Sequence, residues 1–542
     1  MNFSVIDFLV FFTYCFLILG LGLWIANRKK GARDSESYFL AGKTLPWWAI
    51  GTSLIAANIS AEQMIGMSGS GFAIGLAIAS YEWMAALTLI LVAKFMLPIF
   101  LKRNIYTMPQ FLESRFDERV RISLAIFWIL VYIFVNLTSV LYLGALSLKT
   151  IMGVELIYGV LGLATFSAIY TVYGGLKAVA WTDVVQVSFL VGGGLLTTYL
   201  ALDAFSDGAG AFAGFAGLMQ EAPEKFNMIL DRAHPSYNEL PGLTVLLGGM
   251  WVANISYWGF NQYIIQRALA ARNISEAQRG LMFAGYLKIL MPLIVVVPGI
   301  AAYGLGADIL RPDEAYPWLL DNFVVTGLRG LAFAALIAAI ASSLSSMTNS
   351  TSTIFTLDIY RTYINSNASE TTLVRTGRIA SFVAIFLAVL VAPLLSTLDQ
   401  AFQFIQEFTG FISPGVVAIF LLGMFWKKAT SNGALWAAIL TIPLSFGFKW
   451  LTPGLPFLDR MGVVFLILCA VIVVISLIEG RQREEEEALE TESSRDVVVS
   501  KGTKADPKAI YYEKSWFHTD TSFNIGSIGI CAILALLYIL FW

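Results

Sequence analysis

The chain is 542 residues long, 57% hydrophobic and 13% charged, with a formal net charge of −2. A composition this apolar excludes a soluble globular domain and points to a protein that crosses the lipid bilayer many times. The near-neutral charge offers no basic face for nucleic acid. Cys15, Cys469 and Cys531 stand singly in apolar runs, and His234 and His518 lie far apart, so neither a disulfide framework nor a metal cluster is offered.

Fourteen apolar runs are long enough to cross about 30 Å of hydrocarbon. They lie near 5–26, 46–73, 75–101, 121–149, 154–173, 180–203, 242–266, 278–306, 325–357, 374–396, 400–426, 431–451, 461–479 and 523–542. The first run starts without a cationic segment, its first charge being Asp7, and ends in Arg28-Lys29-Lys30; this predicts a retained span with its N-terminus outside. Lys and Arg crowd the loops then assigned inside, from Lys43, Lys102 and Arg103 to Arg267, Arg375 and Lys427. The outside loops hold only Lys149, Lys225, Arg232, Arg311, Arg329, Lys449 and Arg460. That asymmetry predicts both termini outside and a cell-membrane location.

The chain divides into an extra span and linker (1–45), a first half (46–203), an outer loop (204–241) and a second half (242–426). Two peripheral spans (427–479), a charged linker (480–522) and a last span (523–542) follow. The outer loop is Gly/Ala-rich with Pro223, Pro235 and Pro241, and a short amphipathic helix is expected in it. The 480–522 segment, with glutamate at each of 484–487, reads as a solvated linker.

Three apolar stretches carry polar residues that hydrocarbon does not tolerate without reason. Residues 53–83 hold Asn58, Ser60, Glu62, Gln63 and Glu82 together with Gly66, Gly69, Gly71 and Gly75. A membrane helix so written is predicted to break and to turn its freed backbone groups toward a ligand. Residues 251–262, WVANISYWGFNQ, repeat the pattern five spans later. Five is odd, so a five-span unit followed by its copy is inverted, as in many secondary transporters. The third cluster, Ser342 and Ser343 through Thr353, has a plain reading as hydroxyls bonding their own helix. The sharper one is that a hydroxyl or two binds a small cation. A break after Ser60 strips the carbonyls of residues 56–59 of their helical donors, and such neutral oxygens suit sodium.

Ionisable and amide groups inside spans, namely Glu82, Asp183, Lys288, Gln406 and Glu407, are functional candidates. Recognition of a sugar needs several donors and acceptors and an aromatic face. Gln63, Glu82, Asn254, Lys288, Gln406 and Tyr257 supply these from five spans. No nucleophile–base pair or metal set appears, which argues against an enzyme.

At these residues the chain resembles the sodium/solute symporter (sodium–glucose cotransporter) family. The likeness is carried by SLIAANISAEQ, IASYEWM, FVNLTSVLYLG, GGLKAVAWTD, YWGFNQYIIQR and AFQFIQEFTG, and runs to about residue 480 and again through the last span. The resemblance implies an all-α membrane protein of the five-plus-five inverted-repeat, LeuT-like fold, with spans 2–6 and 7–11 as the core. It implies sodium on the carbonyls of Ala56, Ile59 and Ala339 and the hydroxyls of Ser342 and Ser343. It implies a hexose, galactose or glucose, held by Gln63, Glu82, Asn254, Lys288 and Gln406. Tyr257, backed by Trp258, then stacks on the sugar as inner gate; Met67, Tyr132 and Phe402 close the outer side; and Asp183 lies near the sodium exit path. Ala85 and Ser256 depart from the galactose-transporting pattern, which has a serine and a tyrosine there. Another polar solute, or a membrane sugar sensor, is the alternative reading.

Overall fold

The computed structural model describes residues 4–27, 39–60, 62–397, 401–493, 508, 510 and 513–542. It is all-helical, with no strand among the described residues. Among the described residues, eleven helices are long and apolar enough to cross a membrane. In chain order the helices that matter below are α1 (Val5–Asn27), α2 (Trp47–Asn58), α3 (Glu62–Met67 continuing as Ser68–Ala73), α4 (Leu76–Lys102) and α5 (Glu118–Met152). They continue with α6 (Leu156–Ile169), α7 (Val179–Phe205), α8 (Gly249–Ile255 continuing as Ser256–Phe260), α9 (Gln262–Leu269), α10 (Ile274–Gly304) and α11 (Leu328–Ile364). The last are α12 (Glu370–Leu395), α13 (Ala401–Gly410), α14 (Ser413–Phe425), α15 (Ser431–Leu451), α16 (Phe457–Gln482) and α17 (Thr521–Leu540).

Three of the apolar runs found in the sequence fall outside the eleven, and each has a structural reason. The runs near 46–73 and 242–266 are each cut by a backbone break, into α2 with α3 and α8 with α9. The run near 154–173 yields only the shorter α6. The helical stretch Leu156–Phe205 holds both α6 and α7, and its contacts with α11 show the chain reversing between them. Leu163 packs with Ile340 around Gly144, and Ser167 meets Ser345 at 3.1 Å. Further on, Asp183 meets Ser342 while Gly193 lies against Ala332. One segment therefore runs along α11 and the other against it.

α11 is the most enclosed of the long spans, buried along almost all of Gly330–Asp358. Its serines and alanines let neighbours approach closely, as small residues do in membrane bundles. Its N-terminus is capped from α1: the Asp7 carboxylate accepts the Gly327 and Gly330 amides at 2.7 and 3.0 Å, which satisfies orphan donors and suits the helix dipole. The large exposed side chains of α1, α12, α15 and α17, such as Phe16, Phe382, Phe446 and Ile528, form the apolar belt that faces lipid.

In the 204–241 loop the expected short helix is Ala211–Glu221. The turn Pro223–Phe226 that follows is pressed onto α3: Lys225 Nζ donates to the carbonyls of Phe72 and Ala73 at 2.9 and 2.8 Å. The expected linker from residue 480 starts later than anticipated, because the last span's predecessor continues as helix to Ser493. Its Arg, Gln, Glu, Ala and Leu residues are strong helix formers, so nothing stops the helix at the bilayer edge. Residues 494–507 of that linker lie outside the described residues.

Candidate functional site

The site is built on the break between α2 and α3. In an unbroken helix the Ser60 amide closes onto the Ala56 carbonyl, and the Glu62 amide onto Asn58. Here the Ser60 amide donates to Gln63 Oε1 at 3.2 Å, and the Glu62 amide to Ser60 Oγ at 3.1 Å. Ile59 is extended at φ −76°, ψ 108°, and the end of α2 presents carbonyls that its own helix no longer uses. α3 opens as a wide i→i+5 turn over Glu62–Met67, a form that recurs at functional sites.

The second break mirrors this. α8 ends in a wide turn over Ser256–Phe260, and Asn261, at φ −79°, ψ 122°, caps α9 with its side chain on the Tyr263 amide. An asparagine thus stands at each break, Asn58 closing α2 and Asn261 opening α9.

Between the breaks lies a cavity of about 720 Å³, counted out to its open mouth. Gln63, Glu82, Asn254, Tyr257, Lys288 and Gln406 all line it, as do Met67, Trp258, Ala85 and Ser256. Lys288 is buried and forms an ion pair with Glu82; its ammonium also donates to Asn58 Oδ1 and lies 5.0 Å from the Trp258 ring. The cation is thus paired and hydrogen-bonded, which buried charges require. Asn58 Nδ2 in turn donates to the Tyr257 hydroxyl at 3.0 Å, and the Tyr263 hydroxyl donates to the same oxygen at 2.7 Å. A continuous chain of polar contacts therefore runs from Glu82 through Lys288 and Asn58 to the Tyr257–Tyr263 pair.

The hydroxyls of α11 divide by partner. Ser345, Ser346, Thr351 and Thr353 bond back to their own helix at 2.7–2.8 Å, the plain reading of the cluster. Ser350 and Ser352 donate to Gln266 Oε1 and the Gly377 carbonyl at 2.8 and 2.6 Å, and Ser342 and Ser343 reach across toward the first break. Ser343 Oγ donates to the Ala57 carbonyl at 3.1 Å, on the broken end of α2, and Ser342 Oγ donates to the Asp183 carboxylate. Ala56, Ile59, Ala339, Ser342 and Ser343 are all buried at this junction of α2 and α11. Asp183 also accepts from Ser53 Oγ at 2.6 Å and stands 3.5 Å from the Arg267 guanidinium, so this carboxylate is neutralised inside the bundle rather than free.

One of the expected gate residues lies elsewhere. Tyr132 is not on the cavity wall. It is fully buried beside the second break, where its hydroxyl donates to Asn261 Oδ1 at 2.6 Å and accepts the Gln262 amide at 2.9 Å. A buried phenol needs partners, and the break supplies an amide and a side-chain oxygen that a continuous helix lacks. The side chain of Phe402 lies outside the described residues.

Sequence reasoning gave no role to Asn58, Asn136, Asn261, Thr409 or Ser413, all on the cavity wall. The usable signal was an asparagine at each interruption, where a helix end leaves backbone groups to satisfy.

Known proteins share this architecture. The description "Sodium:solute symporter family" matches residues 38–441. The chain is 52% identical to a sodium/glucose cotransporter of Vibrio parahaemolyticus, over 99% of this chain and 98% of that one. It is 34% identical to a sodium/myo-inositol cotransporter 2 of Oryctolagus cuniculus, over 81% and 69% respectively. Among solved structures, the substrate-bound outward-open state of a Na+-coupled sialic acid symporter aligns with a TM-score of 0.76 at 25% identity, covering 88% of this chain and 98% of that one. The fold and the paired broken helices define a sodium-coupled membrane transporter. The chain belongs to the sodium:solute symporter family.

Proposed function

We propose that the chain is a sodium-driven symporter of a neutral hexose, galactose or glucose, working by alternating access across the cell membrane. The observation that carries this reading is the convergence of Gln63, Glu82, Asn254, Tyr257, Lys288 and Gln406 on one cavity beside the broken end of α2. Amide, carboxylate and ammonium groups around an aromatic ring suit a polyhydroxylated ring. Its relatives in the family carry glucose and myo-inositol by name, which are polyols of that size.

In this reading the eleven long helices, the two broken ones and α6 make fourteen spans, with both termini outside and two inverted five-span units. The paired breaks and the lysine and arginine asymmetry support it. Sodium sits on the carbonyls of Ala56, Ile59 and Ala339 and the hydroxyls of Ser342 and Ser343. Ser343 already touches α2 there, so an ion shared by both helices favours the arrangement in which the sugar site is ordered. Tyr257, tethered by Asn58 and Tyr263, closes the inner side; Met67 lies on the outer wall; Asp183 stands on the route by which sodium leaves.

One charge crossing 100 mV contributes about 2.3 kcal/mol, and a tenfold sodium gradient adds about 1.4 kcal/mol. Together they can concentrate a neutral sugar by roughly two to three orders of magnitude at one sodium per sugar. The test is uptake of labelled galactose and glucose into proteoliposomes with an inward sodium gradient. Accumulation that collapses when sodium is equal on both sides is the expected result; sodium-independent equilibration alone would overturn the coupling.

A further inference from the structure

Glu62 is the one charged residue of the cavity wall that the sugar reading leaves without a task. It is 5% exposed, it lines the cavity, and its Oε1 has no hydrogen-bond partner among the described residues. Its backbone amide is held by Ser60 Oγ at the break, so the carboxyl group is anchored at its base while Oε1 is left without a donor. A buried carboxylate oxygen without a donor, in a group with no ion pair among the described residues, is costly and persists where something else supplies both.

The charged groups on the wall are Glu62, Glu82 and Lys288. Lys288 is already paired with Glu82, and its ammonium makes its other contact with Asn58 rather than with Glu62. With all three ionised the cavity carries one uncompensated negative charge, held on Glu62. A neutral hexose brings donors to that group but no charge. A hexose in which one hydroxyl is replaced by a protonated amine brings both, at almost unchanged size, and adds ion-pair attraction to the hydrogen bond that a hydroxyl would make to the same carboxylate. A hexuronate brings the opposite sign and meets repulsion. Ala85, on the same wall, adds a methyl group rather than a competing polar group.

We propose that the cavity accepts protonated aminohexoses as a second substrate class, with the ammonium on Glu62. The inference rests on the sugar reading above. The sugar ring keeps the contacts proposed for the neutral hexose, and Glu62 reads the charge of one substituent.

The full chain in proteoliposomes tests this. Sodium-driven uptake of labelled glucose or galactose is challenged with D-glucosamine, D-galactosamine, N-acetyl-D-glucosamine and D-glucuronate. The expected order is an aminohexose competing at least as well as the parent hexose. The neutral N-acetyl form and the uronate compete tenfold or more worse. In the same liposomes, the charge moved per molecule is one greater for glucosamine than for glucose, a readout that needs no variant. In Glu62→Gln, the ratio of aminohexose to hexose affinity falls about tenfold, while Glu62→Asp retains the preference. Vigorous sodium-driven hexose uptake with no competition by either aminohexose, or an unchanged ratio in Glu62→Gln, overturns the assignment to Glu62. Absence of any sodium-driven hexose uptake overturns the sugar reading itself and this inference with it, so the two failures are told apart.

Discussion

The Ser60 amide donates to Gln63 Oε1 at 3.2 Å, across the break of one helix. That single contact joins the end of α2, where the Ala56 carbonyl is released, to a side chain of the cavity proposed to hold the sugar. Coupling between two ligands requires that each favour the same arrangement of something they share, and this bond is shared. Gln63→Ala is therefore expected to weaken apparent sodium and sugar affinity together, each by about 2- to 10-fold, the range of a neutral hydrogen bond. Gln406→Ala, on α13 and without a hydrogen bond to α2 among the described residues, weakens sugar affinity alone. Sodium titrations of uptake at fixed sugar, and the reverse, separate the two; a sodium dependence untouched by Gln63→Ala would sink the shared-bond account.

Ser343 is the α11 hydroxyl that touches the broken end of α2, at 3.1 Å from the Ala57 carbonyl. Ser343→Ala removes one of five proposed sodium oxygens without adding bulk. The sodium concentration for half-maximal uptake is expected to rise tenfold or more, with normal insertion and an unchanged response to a second substitution, Thr351→Val. Thr351 is the internal control because its hydroxyl bonds back to the Met347 carbonyl at 2.8 Å and serves its own helix. Equal effects of the two variants would mean that no ion is held at Ser343.

Much of the architecture was legible in the sequence because hydrocarbon is a strict solvent. Apolar runs, and polar residues that violate them, both stand out against it. The interruption at Asn58 to Gln63, the one at Ser256 to Gln262, and the six cavity residues from Gln63 to Gln406 were all visible as violations. Pairing was not. Nothing local links Lys288 to Asn58, 230 positions apart, or Tyr132 to Asn261, 129 apart. Tyr132 illustrates why: a tyrosine in mid-span reads as a gate or as core, and only the partner decides. The α16 helix overran its expected end because helix propensity, unlike hydropathy, does not change at the bilayer surface.

The Tyr257 hydroxyl is an acceptor for both Asn58 Nδ2, at 3.0 Å, and Tyr263, at 2.7 Å. Tyr257→Phe keeps the ring and deletes the tether, leaving two buried donors without their partner at a cost of about 1–3 kcal/mol each. That loss falls on the closed arrangement, so the gate is expected to open more often. Efflux of sugar from preloaded liposomes should quicken by about tenfold for each 1.4 kcal/mol lost from the closed state. Tyr263→Phe, which removes one of the two contacts, is expected to give a smaller change in the same direction. Efflux rates no faster than wild type in both variants would show that the tether does not hold the gate.

Gly75 joins α3 to α4 at φ +105°, and a Cβ there would stand 2.4 Å from the carbonyl oxygen of Lys225. Gly75→Ala therefore has to strain the backbone and push away the loop whose Lys225 ammonium caps the Phe72 and Ala73 carbonyls. The expected outcome is a lower melting temperature and faster tryptic cleavage after Lys225. Gly153→Ala, also at positive φ but with open space around it, should leave cleavage at Lys225 unchanged while paying only the backbone strain.

The Glu82–Lys288 pair is buried on both sides, 4% and 1% exposed. Removing one partner strands the other charge, which costs about 3–5 kcal/mol, whereas replacing both with apolar groups of similar volume is often neutral or stabilising. Glu82→Leu and Lys288→Met are each expected to lower the melting temperature of the purified protein markedly, and the double variant to regain most of it. Transport should follow the opposite logic. If the pair is kept for sugar recognition, the double variant remains folded and inserted but carries no hexose, because neither the carboxylate nor the ammonium is left to meet a hydroxyl. Lys288→Arg adds a further discrimination: the charge stays, but the planar fork replaces the compact head over Trp258, so stability holds better than transport. A double variant that recovers uptake along with stability would demote the pair from recognition to packing.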